Sequence, residues 1–167
     1  MSLGICSQIK GATSLSLGGG YKVGRVKGEV STDLQRIGLH IVEAFRSHAA
    51  THGQELELEV EPGTYLVANA CALVSTAIDV VDTGVDGYRF IKVDTGMTEL
   101  LRPSLYGAQH PIETVPLDDG ERPLHEYVVA GHCCESGDVL TPAPDDPEGL
   151  EPRLLFETKP GDAVVIG

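Results

Sequence analysis

Four places along this chain gather residue types that can do chemistry. Leu15-Ser16-Leu17 runs straight into Gly18-Gly19-Gly20. A short apolar run that ends in three glycines stops a strand and lets the backbone come close to something else. Main-chain N–H groups bared in such a turn can form an anion-binding concavity. Glu61-Pro62-Gly63 puts a carboxylate at the end of a strict alternation. That carboxylate either grips a cationic ring nitrogen, keeping a cofactor protonated, or is a solvated acid at a turn. Arg102 and Tyr106 flank Pro103 in a segment without clear periodicity. Arg holds carboxylates bidentately and Tyr adds a hydroxyl, the alternative being a surface loop with a packed Tyr. His132-Cys133-Cys134-Glu135 supports three readings. One is a metal site, one a proton-donating thiol with Glu135 as a ligand contact, and one a buried Cys packed as a small hydrophobe. Zinc sites use spaced pairs of ligands, and no second pair is present, which disfavours the metal.

The elements that must position these residues follow from periodicity. Residues 13–17 read as a short strand. Asp33 and its neighbours supply cap oxygens before Leu34, Ile37, Ile41 and Phe45, which recur at helical spacing up to a stop at Gly53. The spacing predicts a helix over 32–51. His40, His48 and His52 lie on or near it, with no second ligand type at metal spacing, and read as structural or solvated. Glu55 to Glu61 alternates acidic and apolar residues, which predicts a half-exposed strand. Strand, glycine loop, helix and strand make a βαβ unit with a parallel pair. From about residue 70 the pattern becomes antiparallel β. Strands at 70–82 and 88–93 form a hairpin around Thr83–Gly87, and further strands lie at 111–117, 127–130 and 163–166. Residues 141–152, rich in Pro, Asp and Glu, read as an exposed loop.

Composition narrows the function. The chain has 167 residues, 41% of them hydrophobic but only 5% aromatic and no Trp, so its core should be aliphatic. A formal net charge of −13 argues against nucleic acid, which needs a basic footprint. No run approaches the roughly 20 apolar residues of a membrane span. The N-terminus does not read as a signal peptide. Four cysteines, two of them adjacent, do not suggest a disulfide framework, and a reducing cytoplasm fits best.

In order, Leu17-Gly-Gly-Gly-Tyr21, Glu61-Pro-Gly-Thr-Tyr65, Asp94-Thr-Gly-Met97, Leu101-Arg-Pro-Ser-Leu-Tyr106 and Cys134-Glu-Ser-Gly-Asp138 resemble the fold-type III PLP-dependent decarboxylases. The Arg102-to-Tyr106 segment is most similar to the diaminopimelate branch, ahead of the ornithine and arginine branches. The resemblance implies a PLP-binding (β/α)8 barrel followed by a β-barrel-like or sandwich-like β domain, in a cytoplasmic homodimer. Residues 1–69 would be the C-terminal part of the barrel and residues 70–167 an incomplete antiparallel β domain. The acidic positions of the 55–61 strand would then face a polar barrel interior or partner groups.

By the same resemblance, Gly18, Gly19 and Gly20 donate amides to the cofactor phosphate, and Gly63 and Thr64 border the cofactor. Glu61 pairs with the pyridine nitrogen. Arg102 and Tyr106 contact an amino-acid substrate, Arg102 through its distal carboxylate, and Glu135 holds the distal amino group. Cys134 delivers a proton across the dimer interface, and no metal is implied. The reaction would convert meso-diaminopimelate to L-lysine and CO2. Two features depart from the family pattern. Thr64 stands where the family commonly has Arg, and none of Lys10, Lys22, Lys27, Lys92 and Lys159 matches the context of the lysine that holds the cofactor covalently. The chain by itself is therefore expected to release no CO2. Two other readings are a non-catalytic β module that pairs with a decarboxylase-like partner, and a thiol or metal protein built on His132, Cys133 and Cys134.

Overall fold

The computed structural model describes residues 1–167, which divide into two compact units. The first unit holds residues 1–24 and 28–68, and the second holds 25–27 and 69–167.

In the first unit a short helix α1 (Ser2–Cys6) precedes β1 (Ser14–Ser16), α2 (Leu34–His52), β2 (Glu57–Glu59) and α3 (Gly63–Val67). β1 and β2 pair in parallel, with Leu15 opposite Leu58, so the crossover through α2 completes the βαβ unit. α2 begins where the Asp33 carboxylate accepts the Arg36 N–H at 3.0 Å. It ends at Gly53, whose φ of 61° lets its N–H turn back to the Ala49 carbonyl. This left-handed stop suits glycine because no Cβ collides with the following carbonyl. His48 is the buried residue of the helix, with Nε2 3.0 Å from Gln54 Oε1. The β2 alternation does not sort into a buried and a solvated face, since Glu57, Leu58 and Glu59 are all exposed. A two-stranded parallel ribbon has too little surface to bury either face.

The second unit contains β3 (Leu73–Asp82), β4 (Arg89–Val93), α4 (Arg102–Tyr106), β5 (Ile112–Val115) and β6 (Leu124–Ala130). β7 (Pro142–Ala143), β8 (Asp146–Leu150), β9 (Arg153–Phe156) and β10 (Ala163–Ile166) follow. Six strands form one sheet in the order β5-β10-β3-β4-β6-β9. The Thr114 hydroxyl on β5 donates to the Phe156 carbonyl on β9 at 3.3 Å, so the first and last strands meet and the sheet nearly closes into a barrel. Alternate side chains point inward. Ala77, Ile91, Val93, Val129, Val164 and Ile166 make an aliphatic core around Tyr127, as the composition predicts.

Two expectations are corrected. The sheet is mixed, because β4 and β6 run parallel with Ile91 opposite Val129. These strands are not consecutive. α4 and β5 lie between them, giving the long crossover that a parallel pair requires. The segment 141–152 is not a loop: β7 and β8 pair as a small antiparallel ribbon, with Thr141 and Pro142 buried. Asp145 turns the ribbon at φ 57°, a conformation Asp tolerates better than most residues. β9 was not anticipated at all.

One buried ion pair locks the ends of the sheet. The Arg122 guanidinium contacts both carboxylate oxygens of Asp162 and donates to the Glu157 carbonyl at 2.9 Å. Asp162 also accepts the Leu117 and Lys159 amides at 3.1 and 2.7 Å. The loop after β5 and the turn before β10 are thereby held together.

Candidate functional site

The first unit sets the glycine loop and Glu61 at the carboxyl ends of two paired parallel strands. Gly18 begins two residues beyond β1, and Glu61 lies two residues beyond β2. The backbone continues the pairing past both strands. The Leu17 N–H donates to Glu59 O at 3.0 Å, and the Glu61 N–H donates to Gly18 O at 2.8 Å. Gly18 and Gly20 adopt φ values of 72° and 81°, which favour glycine. A Cβ on Gly19 would run into the Glu61 carbonyl oxygen, so the loop can lie against Glu61 only without a side chain there.

Ser16 was not singled out from the sequence, yet it links the two features. Its hydroxyl donates to Glu61 Oε1 at 2.6 Å and accepts the Gly18 N–H at 3.1 Å. The Gly18 amide is thus engaged within the protein, whereas the Gly19 and Gly20 amides make no hydrogen bond to it. Two exposed N–H groups without a protein acceptor, beside an oriented carboxylate, suit a group that carries an anion at one end and a cationic ring at the other. Gly63 and Thr64 open α3 after Glu61 and the Pro62 cap, and both are exposed.

In the second unit, α4 carries Arg102 and Tyr106 at its two ends, with Pro103 in the first turn and Gly107 as the left-handed stop at φ 61°. The Arg102 guanidinium lies 5.8 Å from the Tyr106 ring centroid, a cation–π distance, and both residues are exposed. The β7–β8 ribbon seats this helix. A Cβ on Gly107 would come within 2.6 Å of the Asp146 nitrogen. Gln109 donates to Gly107 O and Pro142 O at 2.9 and 3.0 Å and accepts from Arg153.

Cys134 and Glu135 lie in the loop after β6 and are exposed. Glu135 Oε1 accepts the Gly137 N–H at 3.2 Å and the Ser136 hydroxyl at 3.3 Å. Cys133 is half-buried, and burial followed by the neighbouring Asp138 carboxylate pushes its thiol pKa up. Cys134 is the solvent-accessible member of the pair. His132 Nε2 lies 3.2 Å from Thr98 Oγ1 and 3.4 Å from Glu99 Oε2. Hydrogen bonding from Thr98, and then from the Gly96 amide and His132, holds the Glu99 carboxyl below the usual range despite desolvation. No group of three or more His, Cys, Asp and Glu side chains is arranged to hold a metal ion. No hydrogen bond or ion pair joins Arg102 and Tyr106 to Cys134 and Glu135.

The description "Pyridoxal-dependent decarboxylase, C-terminal sheet domain" matches residues 23–167. The diaminopimelate decarboxylase of Escherichia coli K12 is 36% identical over 157 residues, covering 92% of this chain and 36% of the relative. A crystal structure of diaminopimelate decarboxylase superposes with a TM-score of 0.83 at 31% identity, over 99% of this chain and 40% of that one. The Helicobacter pylori diaminopimelate decarboxylase solved with L-lysine gives 0.69 at 28% identity, over 92% and 33%. The chain thus spans little more than a third of the length of the curated relatives it matches. No helix is long and apolar enough to cross a membrane.

Proposed function

The chain belongs to the pyridoxal-dependent decarboxylases, and from that premise we propose that it forms the C-terminal part of an enzyme converting meso-diaminopimelate to L-lysine and CO2. In this reading residues 1–69 close a PLP-binding (β/α)8 barrel, and residues 70–167 are the sheet domain. The complete enzyme is a cytoplasmic homodimer. The observation that carries the reading is the pairing of the exposed Gly19 and Gly20 amides with the Ser16-oriented Glu61 carboxylate. Barrel enzymes keep cofactor and phosphate sites at such strand ends.

When bound, PLP supplies an electron sink for the carbanion left by CO2 loss. Gly19 and Gly20 hold its phosphate through their amides. Gly18 contributes by shaping the loop, since its own amide is on Ser16. Glu61 would keep a proton on the ring nitrogen, its Oε1 held by the Ser16 hydroxyl. Gly63 and Thr64 would border the cofactor, Thr64 with a hydroxyl but no charge. Arg102 grips the distal carboxylate of the substrate through its planar fork, and Tyr106 both buttresses that fork and adds a hydroxyl. Glu135 accepts from the distal ammonium. Cys134 delivers a proton to the carbon that lost CO2.

The test places this chain in frame behind the N-terminal portion of the E. coli relative that the match leaves uncovered. Release of CO2 from meso-diaminopimelate by the PLP-loaded protein is expected. Cys134→Ala should lower kcat by about two orders of magnitude or more, the scale of a lost proton donor, with PLP content unchanged. A folded, PLP-loaded protein that releases no CO2 overturns the reading.

A further inference from the structure

We propose that Asp138 is the positioning residue of the Cys134–Glu135 loop: its buried carboxylate bolts the loop to the Gly96–Met97 turn and draws Cys133 inward, so that only Cys134 is presented. The proposal rests on the reading of Cys134 as proton donor and of Glu135 as substrate contact. Asp138 is only 3% exposed. Oδ1 accepts the Met97 N–H at 2.6 Å, and Oδ2 accepts the Cys133 N–H at 2.8 Å. Its own backbone closes the loop as well. The Asp138 N–H donates to Glu135 O at 3.1 Å, and Asp138 O accepts the Gly131 N–H at 2.8 Å. The His132 N–H donates to Thr95 O at 3.1 Å, a second tie to the same turn. One side chain therefore fixes both the base of the loop and the segment it leans on.

The chemistry leaves little choice of residue. Two N–H groups from different segments converge on one side chain, so it must offer two acceptors. Asp does this, while Asn would point an NH2 at one of the N–H groups. No ion pair compensates the carboxylate, and burying an unpaired acid is costly unless hydrogen bonds satisfy it. The space is matched to Asp too. A Cβ on Gly96 or on Gly131 would collide with the Asp138 carboxylate oxygens, so both neighbours are glycine. The cost is met at the one loop that carries Cys134, which is where local strictness serves function. The same carboxylate faces the Cys133 thiol and helps keep it protonated, consistent with its half-buried place.

The test uses the full 167-residue chain and two variants. Asp138→Asn removes one acceptor, and Gly131→Ala displaces the carboxylate without altering it. In both, the Met97 and Cys133 amides should exchange with solvent at least tenfold faster, while those of Ile91 and Val129 in the sheet keep their protection. Iodoacetamide should label the loop peptide once in the parent chain, at Cys134, and twice in Asp138→Asn. In the PLP-loaded decarboxylase completed with the E. coli N-terminal portion, Asp138→Asn should lower kcat at least tenfold with PLP content unchanged. Unchanged exchange and labelling overturn the proposal, as does an unchanged kcat. Loss of protection across the whole sheet in both variants also overturns it, since Asp138 would then merely hold the domain together. If the completed protein with Asp138 intact makes no CO2, the proposed function fails, and exchange and labelling still decide the role of Asp138.

Discussion

In the sheet unit, Ile91, Val93, Val164 and Ile166 are sealed from solvent, whereas in the βαβ unit Leu34, Ile37, Leu39 and Val42 of α2 remain 38 to 74% exposed. The same contrast separates the strands. β10 alternates between buried and half-buried residues, and all three residues of β2 are exposed. The candidate residues of the two units therefore rest on different physics. Arg102, Tyr106, Cys134 and Glu135 project from loops and a short helix anchored on a packed sheet. Gly18–Gly20 and Glu61 are placed by backbone hydrogen bonds, the Ser16 hydroxyl and the absence of a Cβ at Gly19. Functional groups need a rigid scaffold, and only the sheet unit supplies one through side-chain burial.

The largest expected effect tests that contrast directly. Ile91→Ala should cost about 2–5 kcal/mol, read as lost amide protection at Val129, because it leaves a cavity in a core with little room to collapse. Leu39→Ala, at a position 74% exposed, should change protection along α2 by no more than about 0.5 kcal/mol. Losses of similar size at both positions would break the comparison.

A second test uses the ion pair that locks the sheet. Burial alone would raise the Asp162 carboxyl, but Arg122 and the amides of Lys159 and Leu117 outweigh it and hold the group below its usual range. A depressed carboxyl stabilises the fold at every pH above its unfolded value, about 3.9. That stability is lost as pH falls from there toward the folded value. Thermal unfolding should therefore be flat above about pH 5 and should weaken below about pH 4. Asp162→Ala should remove part of that acid dependence. It should also lower stability at neutral pH, since the buried Arg122 guanidinium then keeps only the exposed Asp118 carboxylate and the Glu157 carbonyl. A variant with the parent's acid profile would show that the sheet ends are held by something else.

How far the sequence speaks depends on the range of the interaction. The βαβ unit was legible because helix and strand periodicities are local, and Asp33 and Gly53 mark the ends of α2 chemically. The β3–β4 hairpin was legible for the same reason. The parallel pairing of β4 with β6 was not, because nothing near either strand encodes a neighbour 38 residues away. The β7–β8 ribbon was misread since Pro, Asp and Glu usually mark loops, and here burial of Pro142 overrides composition. The motif residues of the site stood out by type. The side chains that orient them, Ser16, Gln109 and Asp138, did not, because their partners lie 33 or more residues away or in the backbone. Asp138 was inside a quoted motif, yet only the converging N–H groups reveal its work.

The smallest effect sharpens the comparison from the other side. A helix with one buried residue gains little from packing, so its ends should matter more to it than those of a core helix. Asp33→Ala removes the acceptor for the Arg36 N–H and leaves the Asp33 carbonyl still bonded to the Ile37 N–H. The expected cost is about 1 kcal/mol, seen as roughly fivefold faster amide exchange over the first turns of α2. Asp33→Asn, which keeps an acceptor oxygen, should restore most of that protection. Equal exchange in all three proteins would mean that α2 draws its stability from contacts along its length, and the contrast with the sheet unit would then have to be redrawn.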